Sequence, residues 1–309
     1  MKHDTLRWMA GGAIVLLTAL VLTGSGRQKP IFEDLAAPGE GKPWTHQRFR
    51  NDPDAFQFAI MADRTGGRRP GIFAKAVGKV NLLQPEFVLC VGDLIDGGTT
   101  DQAKLAAEWN EFEGMVKKLE MPFFHLSGNH DISNPVMAKV WRLRFGRPYY
   151  AFVYRGVLFL CLDSQGPESD GGWGPRQRQW VRRTLAENKS ARWTFVFVHK
   201  PLWKYDKHRI EKAAKEGKGP PTLTGFADVE ADLKGRNYTV FAGHEHTFTK
   251  YMRHRQRYFT LGTTGGASGL KGPASGQFDH VVWVTMTAQG PRIANLLLSG
   301  ILDENVHVE

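Results

Sequence analysis

Cysteine is nearly absent from this chain: its 309 residues include only Cys90 and Cys161. Both lie inside apolar runs, FVLCVGD and LFLCLDS, where a free thiol behaves as a small hydrophobic side chain. Two cysteines cannot build a disulfide framework or a cysteine metal cluster, so these two classes of small domain are excluded. A single bridge would require the two runs to be neighbouring strands, and their apolar context favours two free thiols.

Internal repeats, low-complexity blocks and nucleic-acid-binding motifs are also missing. There is no zinc-finger spacing and no aromatic pattern of the RNA-recognition type. The chain is nevertheless basic, with 41 Lys and Arg against 31 Asp and Glu and a formal net charge of +10. Such a balance fits an anionic substrate, an anionic membrane surface or nucleic acid, and the missing motifs argue against nucleic acid.

The N-terminus has the three-part layout of a secretory signal. Lys2 and Arg7 precede an apolar stretch over residues 8–24, and small residues follow it. The stretch is near the lower end of the length that spans a bilayer, about 20 residues. A cleaved signal over residues 1–26 and an uncleaved membrane anchor over residues 8–24 both remain open. Either one predicts an exported protein, periplasmic or extracytoplasmic, that in the second case associates with the membrane through its N-terminus.

The remaining sequence predicts one α/β domain. Residues 27–53 contain proline, glycine and charge without periodicity and are typical of a linker. Over residues 54–301 short apolar runs alternate with amphipathic stretches, and strand-like runs predominate after His246. Residues 200–236 form a basic insertion, which is either a solvated face or a surface that overhangs the site. Residues 302–309 are a C-terminal tail.

Polar side chains recur where successive predicted strands end. These residues are Asp63, Asp93, Asn129, His130, His199, His244 and His246. In open α/β sheets, ligand sites collect beyond the carboxyl ends of the strands, so we expect these side chains to lie together. Carboxylate, amide and imidazole groups without thiolates suit divalent Mn, Fe or Zn. For single residues a structural role stays open, because Asp63 and Asp93 could cap helices and His199 could be a buried core histidine.

Five short motifs carry these residues in a fixed order. They are DRT (63–65), GDLID (92–96), GNHD (128–131), VHKP (198–201) and GHEH (243–246). Together they resemble the signature of the calcineurin-like metallophosphoesterases, which are related to the purple acid phosphatases, and the resemblance covers roughly residues 54–300. It implies a four-layer α/β/β/α sandwich. One motif departs from the pattern, because Thr65 stands where the family has the histidine of D-x-H.

The resemblance also implies two divalent metal ions that share the Asp93 carboxylate. The first would be held by Asp63, Asp93 and His246, and the second by Asp93, Asn129, His199 and His244. Next to these ligands, His130 would face the substrate and protonate the leaving group, Asp131 would orient the His130 ring, and Asn129 would also contact the substrate. Positioned acids of this kind accelerate reactions by roughly 10²–10⁴-fold.

The missing histidine predicts that the first metal site is the weaker one. Asp96 is a candidate replacement ligand, because the residue at that position ligates the first metal in purple acid phosphatases. Arg64, beside Thr65, is either a phosphate contact through its forked guanidinium or a surface residue next to a flexible loop.

The predicted function is hydrolysis of a phosphomonoester or phosphodiester by a metal-activated hydroxide. Two alternatives remain open. One is a degenerate scaffold that binds at most one metal and serves as a binding module. The other is a basic envelope protein that binds polyanions.

Overall fold

The structure, a computed structural model, describes Phe32, residues 45–165 and residues 174–301. The chain separates into two compact units, Met1–Arg50 and Asn51–Glu309.

The predicted signal or anchor over residues 1–26 lies outside the described residues, as does the predicted tail over residues 302–309. Of the helices in the described part of the chain, none is long and apolar enough to cross a membrane.

The second unit has eleven strands and six α-helices among its described residues. In chain order they are β1 (Phe56–Met61), α1 (Ile72–Leu83), β2 (Phe87–Cys90), α2 (Gln102–Val116), β3 (Phe123–Phe124), α3 (Pro135–Phe145), β4 (Tyr150–Tyr154), β5 (Val157–Leu162), α4 (Pro175–Glu187), β6 (Trp193–Val198), α5 (Leu202–Lys215), α6 (Phe226–Asp232), β7 (Tyr238–Ala242), β8 (Thr249–Arg253), β9 (Gln256–Thr260), β10 (His280–Thr287) and β11 (Gly290–Leu297). Two short 3₁₀ turns lie at Pro273–Ser275 and Leu298–Gly300.

The strands form two sheets. The first has the order β11-β10-β1-β2-β3, and the second has the order β4-β5-β6-β7-β9-β8. The neighbours β1, β2 and β3 run parallel in the first sheet, and β5, β6, β7 and β9 run parallel in the second. Parallel neighbours end at the same edge, so the residues that follow them are brought together.

Strand β5 shows why its sequence is apolar without alternation. Val157, Phe159 and Cys161 belong to the core between the two sheets, whereas Leu158, Leu160 and Leu162 pack with residues of α4 and α6. A strand buried on both faces reads as a continuous apolar run. The same contiguous cluster of buried residues continues from the sheets into α1, α2 and α3. Helices therefore cover both sheets, and the predicted four-layer α/β/β/α sandwich is confirmed.

Phenylalanine rings from opposite sheets meet in this central core. The Phe58 ring on β1 lies 5.4 Å from Phe159 on β5 and 5.1 Å from Phe195 on β6, both nearly edge to face. Offset and edge-to-face pairs are favourable arrangements for aromatic rings. These contacts fix the distance between the sheets.

Both cysteines are buried and free, as the sequence indicates. Burial raises the pKa of the Cys161 thiol to about 12 and raises that of Cys90 as well. Both remain protonated, unreactive thiols.

The first residues of the helices show whether Asp63 and Asp93 are helix caps, the alternative left open by the sequence. Asp101 caps α2 by accepting hydrogen bonds from two backbone N–H groups, and Asn134 caps α3 by accepting one from the backbone N–H of Met137. Helix α1 begins after Gly71 without a side-chain cap. Neither Asp63 nor Asp93 therefore caps any of the six α-helices that the structure describes.

Replacing Phe159 by alanine should lower the free energy of unfolding by about 3–5 kcal/mol, because a fully buried aromatic ring is lost from the contact between the sheets. Urea denaturation followed by circular dichroism measures the change. Val153→Ala on β4 is the control, since this side chain is 51% exposed and its loss should cost within about 0.5 kcal/mol. Equal effects of the two substitutions would contradict this account of the core.

Candidate metal centre

The carboxyl ends of strands from both sheets meet at one place. Asp63 follows β1, Asp93 follows β2, His199 follows β6 and His244 follows β7. All of these side chains are buried except that of His244, which is partly exposed. The polar residues that follow successive strands therefore converge, as the sequence predicts.

Two groups of potential ligands form there. Atoms of Asp93, His199 and His244 lie within 4.8 Å of one another, and atoms of Asp63, Asp93 and His246 do the same. Asp93 belongs to both groups. A carboxylate can bridge two ions about 3.5–4 Å apart, whereas an imidazole cannot.

The amide of Asn129 completes the second group. Its Oδ1 lies 3.0 Å from His199 Nε2, and the same nitrogen lies 3.3 Å from Asp93 Oδ2 and 3.3 Å from His244 Nδ1. Four donors thus surround one small volume.

The hydrogen bonds of two histidines leave ligand nitrogens free. His199 Nδ1 donates to the Val91 carbonyl at 2.8 Å, and His246 Nδ1 donates to the Ala267 carbonyl at 2.7 Å. In each ring Nε2 then faces a carboxylate and is the nitrogen that a metal ion could use. Bonds from the distal ring nitrogen orient metal-ligating histidines in this way.

Asp63 gives the most direct indication that a cation belongs here. Its side chain is fully buried. Oδ1 accepts a hydrogen bond from the His244 amide at 2.8 Å, but Oδ2 is buried without any hydrogen-bond partner. A buried carboxylate oxygen without a partner is costly unless a positive charge satisfies it. The donor set, its hydrogen bonds and this oxygen fit divalent metal ions.

The pKa values in the second ligand group also fit a bound cation. Burial disfavours the charged forms of Asp93 and His199, but their mutual attraction outweighs it, lowering the pKa of Asp93 to about 2 and raising that of His199 to about 9. Burial and the neighbouring His199 lower the pKa of His244 to about 4. A cation that replaces the His199 proton would take over its attraction to Asp93.

Backbone strain is concentrated at the candidate ligands. Asp93, His244 and His246 have φ values of 58°, 70° and 52°, in the left-handed region that residues other than glycine seldom adopt. Gly128 allows the turn to approach Asp93, because a Cβ there would lie 2.1 Å from Asp93 Oδ1. Such strain at functional sites is held in place by the surrounding structure.

The role predicted for Asp131 needs correction. Its buried carboxylate accepts hydrogen bonds from the amides of Gly128, Leu94 and Ile95 at 2.7, 2.8 and 3.1 Å. It therefore ties the GNHD turn to the turn after β2. The ring of His130 is oriented by the carbonyl of Asp96, which accepts from Nδ1 at 2.9 Å.

Arg64 fits neither of the two roles predicted for it, a phosphate contact and a surface residue. Its guanidinium donates to the Leu94 carbonyl at 2.7 Å and to Glu111 at 2.8 Å, and the side chain is 3% exposed. Its donors are used inside the protein, so Arg64 stabilises the loop. Arg68, which the sequence analysis did not single out, is 31% exposed and lies on the same loop.

Thr65 forms a short hydrogen bond from Oγ1 to Asp96 Oδ1. The other oxygen of Asp96 lies 3.3 Å from Arg68 Nε. Asp96 is not a member of either ligand group. In this geometry its carboxylate serves Thr65 and Arg68, and the first group retains three protein ligands.

The basic insertion predicted over residues 200–236 is mostly helical, in α5 and α6. Lys204 on α5 forms an ion pair with Glu245, which lies between the two ligand histidines of GHEH. The insertion also contacts the site through Tyr205, whose ring lies 6.2 Å from that of His244, nearly edge to face.

Comparison with known proteins shows which family the chain belongs to. Residues 46–248 match the profile described as calcineurin-like phosphoesterase, and the chain belongs to that family. It is 29% identical over 191 residues to the probable purple acid phosphatase 20 of Arabidopsis thaliana, over 52% of this chain and 42% of that protein. It is 30% identical over 142 residues to the human protein CPPED1, named a serine/threonine-protein phosphatase, over 42% of this chain and 45% of that protein.

The chain therefore spans less than half the length of both curated relatives. In fold it is similar to the purple acid phosphatase PPD1 of yellow lupin, Lupinus luteus, with a TM-score of 0.59 at 13% identity. That match covers 80% of this chain and 52% of the lupin protein.

The two residues Asp93 and His130 should separate metal binding from turnover. Asp93→Asn should lower bound metal per chain by at least about half, because Asp93 belongs to both ligand groups. His130→Ala should leave metal content unchanged, because His130 is in neither group. Elemental analysis of the purified variants measures this, with circular dichroism as the control for folding. If His130→Ala removes metal as completely as Asp93→Asn, the division of roles is wrong.

Proposed function

We propose that this protein is a metal-dependent phosphoester hydrolase that acts on phosphomonoesters or phosphodiesters. The observation that carries the proposal is the pair of ligand groups sharing Asp93, together with the buried Asp63 carboxylate of the first group, one oxygen of which has no hydrogen-bond partner. Two divalent ions of the Mn, Fe or Zn type, when bound, would supply an activated water and positive charge for the phosphoryl oxygens.

Six side chains would hold these ions. Those of the first would be Asp63, Asp93 and His246, and those of the second would be Asp93, Asn129, His199 and His244. The two sheets hold these carboxylates and imidazoles in place before any metal ion binds, so little reorganisation accompanies metal binding. The side-chain oxygen of Asn129 faces His199. Its side-chain nitrogen is therefore left to donate a hydrogen bond to a phosphoryl oxygen.

His130 is the group placed to protonate the leaving oxygen. Its Nδ1–H is bound to the Asp96 carbonyl, which leaves Nε2 to carry the transferred proton. A Cβ at Gly66 would lie 3.7 Å from His130 Nε2 and 3.1 Å from His246 Nε2. The two nitrogens therefore border the same small volume, and the acid lies beside a metal ligand.

A second candidate function is a scaffold that binds a single ion. The bond between Thr65 and Asp96 favours it, because both groups are occupied with each other and the first site has three protein donors. This scaffold would bind a phosphorylated ligand without turning it over.

We further propose that the protein is exported and works outside the cytoplasm, either freely or held by residues 8–24. The support is the N-terminal sequence, in which basic residues, an apolar stretch and small residues follow one another.

The parent protein should hydrolyse 4-nitrophenyl phosphate or its bis-ester when Mn²⁺ is added, and His130→Ala should lower kcat by about 10²–10⁴-fold. Release of nitrophenolate measures the rate. The exposed residue His208 offers a control, since His208→Ala should not change kcat. A parent that binds one ion per chain and hydrolyses neither ester would favour the scaffold instead.

Thr65→His should tighten the weaker metal site by restoring the family motif. Residue 65 lies two positions past Asp63, where the D-x-H motif of the family has its histidine, so an imidazole there would add a donor to the first group. Isothermal titration with Mn²⁺ measures both sites.

Thr65→Val is the matched control, because it removes the hydroxyl without adding a donor and should leave the weaker site weak. Asp96→Ala distinguishes the remaining case, since it would empty the first site only if Asp96 moves onto the metal. Two equally tight sites in the parent, unaffected by any of these changes, would contradict the account of Thr65.

A further inference from the structure

A cavity of about 410 Å³ lies between the start of α3 and the end of β5. Its lining includes Ile132 and Ser133, which follow the GNHD turn, and Gln165, which follows β5. The volume is at the lower end of the range for small-molecule sites, about 300–1,000 Å³. None of the residues that line it is a candidate metal ligand.

Hydrogen bonds join both walls of the cavity to the metal centre. Ile132 donates its amide to the Gly128 carbonyl at 3.1 Å, so it shares one tight turn with Asn129 and His130. On the other wall, Ser164 precedes Gln165 and accepts from the amide of Lys200 at 3.1 Å. Lys200 directly follows the ligand His199, so the cavity borders elements that carry ligands of the second group.

The walls combine apolar surface with positive charge. The apolar atoms come from Ile132, Pro135, Ala138 and Leu143. The charged side chains among the described lining residues are Lys139 and Arg142. Among the lining residues that the structure describes, none is an aspartate or a glutamate. Such a site favours an apolar ligand that carries an anionic group.

Lys139 and Arg142 are available for such a ligand. They lie three residues apart on α3 and therefore share one helix face. Among the described residues neither makes an ion pair, whereas the adjacent Arg144 is paired with Glu113 at 2.7 Å. Both side chains are exposed.

We propose that this cavity binds the leaving alcohol of the substrate, and that this alcohol has an apolar body, aryl or alkyl, and an anionic group that pairs with Lys139 and Arg142. The inference rests on the proposed hydrolase function. In the reaction the bond from phosphorus to the ester oxygen breaks, and a new bond forms from phosphorus to the oxygen of water. The proton from His130 goes to the ester oxygen, and the proton lost by water restores His130, so alcohol and phosphate leave in balance.

The test compares two aryl phosphates that differ in one anionic group, phenyl phosphate and 4-carboxyphenyl phosphate. The parent should have the lower KM for the carboxylate ester. In the double variant Lys139→Ala/Arg142→Ala the KM for 4-carboxyphenyl phosphate should rise about tenfold, which corresponds to about 1.4 kcal/mol. The kcat/KM for phenyl phosphate should stay within about twofold, because the apolar wall is intact.

The control is Lys75→Ala/Lys234→Ala, which removes two exposed lysines, one on α1 and one in the turn after α6, and changes the net charge equally. It should preserve the preference for the carboxylate ester. A parent that hydrolyses both esters without preference, or a preference that both double variants share, would overturn the cavity proposal and leave the hydrolase function standing.

Failure of the hydrolase function gives a different result. If the parent hydrolyses neither ester, that function is contradicted, and binding of 4-hydroxybenzoate then tests the cavity directly. Saturation-transfer NMR should detect this alcohol on the parent and on the Lys75/Lys234 control, but not on the Lys139/Arg142 variant. Equal signals on all three proteins, or none on the parent, would refute the cavity site.

Discussion

The burial of Asp93 is the constraint on which the rest of the site depends. This carboxylate lies at the end of β2, is 2% exposed and adopts a left-handed backbone conformation. A buried negative charge needs compensation, and here it comes from the His130 amide at 2.9 Å and from the His199 ring at 3.3 Å. Since Asp93 belongs to both ligand groups, each ligand is positioned relative to this one carboxylate.

The two sheets carry out this positioning. Asp63 and Asp93 follow strands of the first sheet, whereas His199 and His244 follow strands of the second. Neither sheet holds a complete ligand group by itself. The aromatic rings between the sheets set the separation of the strands, and close packing makes that separation stiff. Core packing and ligand geometry are therefore coupled, although the phenylalanines lie away from the site.

The sequence predicted the fold class and the convergence of the candidate ligands, but it did not predict the contacts that Arg64 and Asp131 make. The order of the five motifs determines which residues follow which strands, and parallel pairing then brings them together. The direction of a side chain within a turn depends on dihedral angles and on distant partners. Asp131 faces amides of a loop some thirty-seven residues away, and Arg64 reaches Glu111 on α2. Neither contact has a local sequence signal.

Because Thr65 replaces a histidine, it bears on two separate properties, the stability of the fold and the number of donors in the first ligand group. A threonine in place of a histidine would be costly to the fold if it left a buried polar group unpaired. Here the Thr65 hydroxyl donates to Asp96, and Arg68 faces the other oxygen of that carboxylate. The polar groups of Thr65 and Asp96 are thus paired within the loop, and the departure from the family motif changes the number of candidate donors in the first group. Folding alone is consequently no indication that both ions are held.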